Sequence, residues 1–281
     1  MSVGQGLTVS HQNLLARSAG NFRKTMSIIR GRMMRRPAVY SHVSWPAWLA
    51  LYVVLTAAGF MLLDTAAAAW RHGLAPGVVA LAEHSTDFGL GGWYLIPPAI
   101  MLMAANLLNW RALSRRWCMV AYNWTSFAFF MLSAAGLSGL AVTILKHIFG
   151  RARPNVEDMG IFSFHPFAFS ASFASFPSGH ATMVGSAAGM LLLLAPRWVK
   201  YVLVAFTVWI AVTRVVVGMH YPSDTIAGFG LGIGCTVIVA LVFARLGFIF
   251  QRTRVGLPVR RDTFRLRFTA KPRIPVKRDA S

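Results

Sequence analysis

Three short motifs in the C-terminal half of the chain hold residues whose types and spacing could do chemistry. They are Lys146-x6-Arg153-Pro154, Pro177-Ser178-Gly179-His180 and Arg214-x5-His220-x3-Asp224. Fixed cations, a Ser-Gly-His turn and an Arg…His…Asp set are what phosphoryl transfer needs if it runs without a metal. Cations neutralise phosphate oxygens, backbone N–H groups cradle them, one histidine attacks, and another protonates the leaving group. Any one motif alone is a weak signal. All three, in this order and each at the end of an apolar stretch, form a strong one.

The third motif supplies the nucleophile. A neutral imidazole can attack phosphorus, and a carboxylate on its far nitrogen fixes the tautomer and stabilises the charge that develops. His220 and Asp224 are one helical turn apart. Pro222 between them favours a helix start, which would put His220 at a helix N-terminus, where N–H groups favour an anion. The second motif supplies the acid. Ser178 suits an N-cap, Gly179 lets backbone approach an oxyanion, and His180 would protonate the departing oxygen. Lys146, Arg153 and Arg214 form a phosphate clamp, the arginines bidentate and the lysine as a point charge. The ordinary reading of each residue alone is a capped turn, a satisfied histidine or a cation snorkelling at a span end. The set of three motifs outweighs it. Arg151 fits no motif position and is expected at the surface or near a substrate headgroup. Glu83, His84 and Asp87, and likewise Glu157 and Asp158, are expected to be solvated polar residues rather than ligands. A two-metal phosphatase needs several more convergent acids and histidines, so neither metal nor other cofactor is expected.

These residues resemble the type 2 phosphatidic acid phosphatase superfamily, the lipid phosphate phosphatases. The resemblance covers roughly residues 145–234 by motif. It departs once, at Thr213, where the family usually has Ser; the hydroxyl is kept and a methyl added. The resemblance implies the roles above, with catalytic His220, His180 and Asp224. Phosphate would bind at Lys146, Arg153, Ser178, Gly179 and Arg214, and the reaction would pass through a phosphohistidine. Similar bacterial proteins act on undecaprenyl diphosphate, phosphatidylglycerophosphate, phosphatidic acid or lipid A phosphates, and the sequence does not choose among these. A lipid phosphotransferase would use the same residues, and a non-catalytic lipid-binding or transport protein is the alternative from another class.

The elements that must position the motifs are membrane spans. The chain has 281 residues, 56% of them hydrophobic and only 13% charged, with a mean hydropathy of +0.55. A soluble domain is about half apolar and a quarter charged. The expected fold is all-α, an integral membrane bundle of six transmembrane helices at about 45–63, 91–108, 118–145, 179–195, 201–217 and 224–250. Pro97-Pro98 should kink the second. Alternate glycines from Gly228 to Gly234 suggest close helix packing in the sixth. Cys118 and Cys235 are expected as small buried hydrophobes.

Charge sets the expected orientation. Residues 1–44 carry seven basic residues and no acid, and residues 251–281 carry ten against Asp262 and Asp279. With the turns after the second and fourth spans and Arg245, 23 of the 28 basic residues fall on one side. That side is expected to be cytoplasmic, with the motifs outside. The expected organisation is a basic cytoplasmic tail over 1–44, a membrane phosphatase domain over 45–250 and a second basic tail over 251–281. No apolar core of a signal peptide precedes Trp45. Both tails are expected to be solvated chain held near anionic headgroups. The net charge of +20 follows topology, so nucleic acid is not an expected partner, while a membrane lipid phosphate is. Oligomeric state leaves no signal.

Overall fold

The computed structural model describes residues 3–36, 43–156, 159–251, 253 and 256–266, and side chains from residue 14 onward except residue 68. It is mostly helical, with nine α-helices among the described residues. Glu157, Asp158 and the tail beyond residue 266 lie outside them. The helices are α1 (Val3–Arg35), α2 (Trp45–Ala58), α3 (Asp64–His72), α4 (Pro76–Thr86) and α5 (Gly92–Leu107). They continue as α6 (Arg115–Phe149), α7 (Gly179–Leu194), α8 (Arg197–Val216) and α9 (Pro222–Leu246).

Among the described residues, five stretches are long and apolar enough to cross a membrane: Trp45–His72, Pro76–Leu107, Arg115–Phe149, Arg197–Val216 and Pro222–Leu246. Helix α7 is apolar but has 16 residues, about 24 Å at 1.5 Å per residue, against a hydrocarbon core of about 30 Å. The first apolar stretch also continues past Leu63. A π-helical turn, Gly59–Leu63, joins α2 to α3 and brings Asp64 into the bundle. Pro97 and Pro98 lie inside α5, and α4, absent from the sequence expectation, precedes it.

Helices α7 and α9 form the centre of the bundle, and small residues explain their closeness. A Cβ on Gly228 would run into the Ser178 carbonyl, and one on Gly232 into the Thr182 carbonyl. The alternate glycines face α2 instead: a Cβ on Gly230 would sit 2.8 Å from Tyr52 Cδ2, and one on Gly234 3.3 Å from Trp48 Nε1. The glycine run therefore serves two helix contacts on opposite sides of α9. Phe130, Phe243 and Phe250 stack edge-to-face in the core at the end of α9.

The segment expected as a solvated N-terminal tail is helical from Val3 to Arg35 and docks on the bundle. Asn21 Nδ2 donates to the carbonyls of Asn106 and Leu108, and Arg32 Nη1 to that of Leu246. Arg36 donates to the Arg245 carbonyl and Arg261 to that of Gly247. Cations thus satisfy the last carbonyls of α9, where the helix dipole favours positive charge. This basic end lies opposite the end carrying the three motifs.

Candidate active site

The motif residues come from four helix ends, one long connection and one turn. Lys146 lies in the last turn of α6, His180 in the first of α7, Arg214 in the last of α8 and Asp224 in the first of α9. Arg153 lies on the 150–178 connection, and His220 on the turn between α8 and α9. All eight sequence-predicted residues meet at one end of the bundle. A Cβ on Gly179 would lie 3.7 Å from Lys146 Cε, and Ser178 N donates to the Asp224 carbonyl at 2.9 Å. His220 N donates to the Arg214 carbonyl at 3.2 Å. The turn at Asp87–Gly89 covers His180 so closely that a Cβ on Gly89 would lie 2.9 Å from His180 Cδ2.

Local sequence explains each position. Gly150 ends α6 in the left-handed region, φ 58°, against the His165 carbonyl, so a side chain there is excluded both by conformation and by space. The connection then folds back on itself. Ala152 N donates to the Ser163 carbonyl, Arg153 N to that of Ser172, and Ser175 N to that of Arg151. Ser178 Oγ accepts from Ala181 N as the N-cap of α7. Pro222 opens α9, and Asp224 Oδ2 accepts from Tyr221 N at 2.9 Å, fixing the turn that carries His220.

Among the described residues, three buried polar atoms at this end make no hydrogen bond: Arg153 Nε, Arg214 Nε and His220 Nδ1. Lys146 Nζ donates to the Ala174 carbonyl at 2.6 Å, and Arg214 Nη1 to Thr86 Oγ1 at 2.9 Å. Among the described residues, neither Arg153 nor Arg214 has a carboxylate within ion-pair distance. His220 is 3% exposed, and burial lowers its imidazole to a pKa of about 4. Asp224 opposes this shift, while the charges of Lys146 and Arg153 add to it. Burial also disfavours the Arg153 charge, and Asp224 supports it. His220 is therefore neutral at neutral pH. Its Nδ1 lies 3.7 Å from Asp224 Oδ2, beyond hydrogen-bond length.

The reason lies behind Asp224, in residues the motifs did not predict. Arg151 is fully buried, which corrects the expectation of a surface or headgroup residue. Its Nη1 donates to Asp224 Oδ1 at 2.7 Å and to Ser223 Oγ at 2.7 Å, and its Nη2 to Asp64 Oδ2 at 2.8 Å. Tyr221 and Phe60 cover the guanidinium, with ring centroids 4.1 and 4.6 Å from Cζ. Asp64, also fully buried, accepts from Ser223 N at 2.9 Å and Ser223 Oγ at 2.6 Å. Ser175 Oγ donates to Asp224 Oδ2 at 2.6 Å. The one sequence signal for Asp64 is a lone acid at the end of an apolar stretch, which by default marks function.

Glu83, His84 and Asp87 are exposed, and His84 Nδ1 bonds the Ala80 carbonyl within α4. In the connection, Phe162, Phe167 and Phe169 stand out at 74%, 67% and 83% exposure.

The PAP2 superfamily profile matches residues 127–248, a stretch containing all three motifs. The chain is 36% identical to a lipid A 1-phosphatase of Rhizobium etli over 224 residues, covering 78% of this chain and 94% of that one. It is 39% identical to a lipid A 1-phosphatase of Rhizobium johnstonii, covering 66% and 76%. Among solved structures, Aquifex aeolicus LpxE aligns at 22% identity and a TM-score of 0.46, over 63% of this chain and 94% of that one. With its several apolar spanning-length helices, the chain is a multi-pass membrane protein, and it belongs to the PAP2 superfamily.

Proposed function

We propose that the protein is a lipid phosphate phosphatase that works through a phosphohistidine, and that its substrate is a lipid A phosphate. The observation that carries the chemistry is the set of buried, unpartnered donors on Arg153, Arg214 and His220, gathered beside Lys146 and His180. Buried arginine N–H groups without acceptors are costly to a fold, and a phosphate would satisfy them. Neutral His220 attacks phosphorus. His180 protonates the leaving oxygen, and Asp224 steadies the imidazole as positive charge develops. Lys146, Arg153 and Arg214, with the Ser178-Gly179 backbone at the start of α7, neutralise the phosphoryl oxygens. Water then cleaves the phosphohistidine.

The lipid assignment is supported by the two Rhizobium relatives, which match over most of their length. Six spans, with α7 as a short fourth, would place both termini on the cytoplasmic face and the site on the outer face of the inner membrane. The basic cluster at the end opposite the site supports that orientation. The flanking regions, 1–44 and 251–281, then belong to the cytoplasmic side of a membrane phosphatase domain at 45–250.

A phosphate-release panel on purified full chain tests the reading. Lipid A should be cleaved faster than undecaprenyl diphosphate, phosphatidylglycerophosphate and phosphatidic acid. Activity should survive EDTA, and an acid-labile phosphoprotein should be trapped on brief mixing with labelled substrate. A phosphate ester cleaved only after zinc or magnesium is restored would overturn the mechanism. A preference for another lipid would overturn only the substrate.

A further inference from the structure

We propose that Asp64 and Arg151 are a positioning pair that clamps Asp224 and sets how much of its charge reaches His220. This rests on the reading of His220 as nucleophile and goes beyond it. Asp64 belongs to none of the motifs and lies 87 residues from its partner.

The geometry has one guanidinium between two carboxylates, all three fully buried. One negative charge is left over. A buried ion pair is weak evidence of stabilisation, since well-packed apolar residues often do as well. A surplus buried carboxylate charge is harder still to justify by stability alone. It becomes intelligible if a second cation is needed during the reaction. His220 is that cation when its ring carries positive charge. In the resting arrangement, Arg151 takes Asp224 Oδ1, while Ser175 and Tyr221 N take Oδ2, and His220 Nδ1 waits at 3.7 Å.

Arg151 and His220 therefore compete for one carboxylate. Asp64 moderates the competition by drawing the other arm of the guanidinium toward itself. It also binds the Ser223 amide, at the N-terminus of α9, and so fixes the helix turn on which Asp224 stands. Gly59 admits this approach. A Cβ there would lie 3.2 Å from Ser223 Cα and 2.8 Å from Ile226 Cδ1.

Several charged or titratable groups face His220. Lys146 comes from α6, Arg153 from the connection, His180 from α7, Arg214 from α8 and Asp224 from α9. Asp64 and Arg151 stand behind Asp224, Arg71 beside the Gly218 turn, and Asp87 near Arg214. The Asp64–Arg151 pair lies outside the three motifs and can be neutralised as a unit without changing the net charge around the imidazole.

The test is the acid limb of kcat/KM in purified full chain, with short-chain phosphatidic acid as probe. In Asp64→Asn/Arg151→Gln, His220 becomes, among the described residues, the one cation left within ion-pair distance of Asp224. It should protonate more readily, and the acid limb should move up by about one pH unit or more. In Asp64→Asn alone, Arg151 has Asp224 as its one carboxylate, so the limb should not rise. Substrate ionisation is common to all variants and cancels in the comparison. A folded double variant with the wild-type limb overturns the proposal, as does an equal rise in both variants. If the double variant does not fold, Arg151→Lys decides. A lysine cannot bridge two carboxylates, so kcat should fall about tenfold or more at unchanged KM; a wild-type kcat overturns the pair. His220→Ala, run alongside, separates the two claims. Activity in that variant defeats the nucleophile reading, whereas an inactive His220→Ala with unmoved Asp64 and Arg151 variants defeats this proposal alone.

Discussion

Arg151 and Arg153 stand two residues apart and have opposite situations. Arg151 is sealed from solvent, with both carboxylates of its network, a serine hydroxyl and the Ile161 carbonyl as acceptors. Arg153 is partly exposed, with its Nε buried and unpartnered. A break in the extended segment accounts for this. Side chains two apart in a regular extended chain share a face, but the bridge here is at Arg151, to Phe164, and the chain enters a turn at Pro154, so the regular pattern does not carry to Arg153. The same residue type thus builds the wall of the site at one position and faces its ligand space at the other. A satisfied guanidinium holds the fold, and on the function proposed above the unsatisfied one serves the substrate.

The largest expected effect lies on the ligand side of this divide. His220→Ala should abolish turnover and the trapped phosphoprotein, because the nucleophile is gone. Asp224→Asn should lower kcat by a large factor, through lost orientation and lost charge stabilisation. It should also destabilise the protein, since Asp224 serves both sides at once. Normal turnover in His220→Ala would break the comparison at its root.

Arg153→Gln and Arg151→Gln should then separate cleanly. Arg153→Gln removes a donor whose Nε has no hydrogen-bond partner among the described residues. It should cost about 10²–10³ in kcat/KM, comparable to loss of a transition-state donor, with thermal stability in detergent unchanged or slightly raised. Arg151→Gln leaves two buried carboxylates facing each other. Breaking a buried pair in this way costs about 3–5 kcal/mol of stability, so the melting transition should fall sharply. Similar stability losses in the two variants would mean that the division between wall and ligand side is wrong.

How much of this was legible in the sequence follows the same line. The residues on the ligand side carry type and spacing within short motifs, so Lys146, Arg153, His180, Arg214, His220 and Asp224 were all readable, as was the helix start at Pro222. The wall was not. Asp64 meets Arg151 and Ser223 across 87 and 159 residues, and no local spacing encodes such a pairing. Arg151 was misplaced because it fits no motif, and charge alone suggests solvent. Apolar runs located the long helices, although the first two stretches, Trp45–His72 and Pro76–Leu107, extend well beyond the expected 45–63 and 91–108. They missed what polar residues build: the docking of α1 through Asn21 and Arg32, and the π-helical turn that delivers Asp64. Hydropathy sees the lipid-facing surface, whereas these features depend on buried hydrogen bonds.

A smaller effect should distinguish the aromatic rim from both arginines. Phe167 and Phe169 are exposed on the connection, Phe167 with its backbone in the left-handed region at φ 61° and Phe169 beside the His147 ring. At headgroup depth, aromatic side chains can contact acyl chains. Binding energy from a remote part of the substrate acts only on substrates that have it. Replacing both with Ser should lower kcat/KM severalfold on a lipid phosphate and leave a soluble phosphomonoester nearly unchanged. Equal loss on both would show that the rim supports the site rather than selecting lipid.

The smallest effect is expected at Thr213, the one motif position that departs from the family pattern. Its side chain is fully buried, one residue before Arg214. Its hydroxyl donates to the Ile210 carbonyl at 2.7 Å, within the same helix turn, and so is already satisfied by the wall. The methyl is the only group that Ser lacks. Deleting one buried methyl costs about 0.5–1.5 kcal/mol when the surroundings do not close, and a Ser can make the same bond to Ile210. Thr213→Ser should therefore leave kcat, KM and the acid limb at wild-type values, with a loss of stability of about 1 kcal/mol or less. A change in kcat without a change in stability would move Thr213 to the ligand side, and would mean that its methyl holds the Arg214 guanidinium in line with the phosphate.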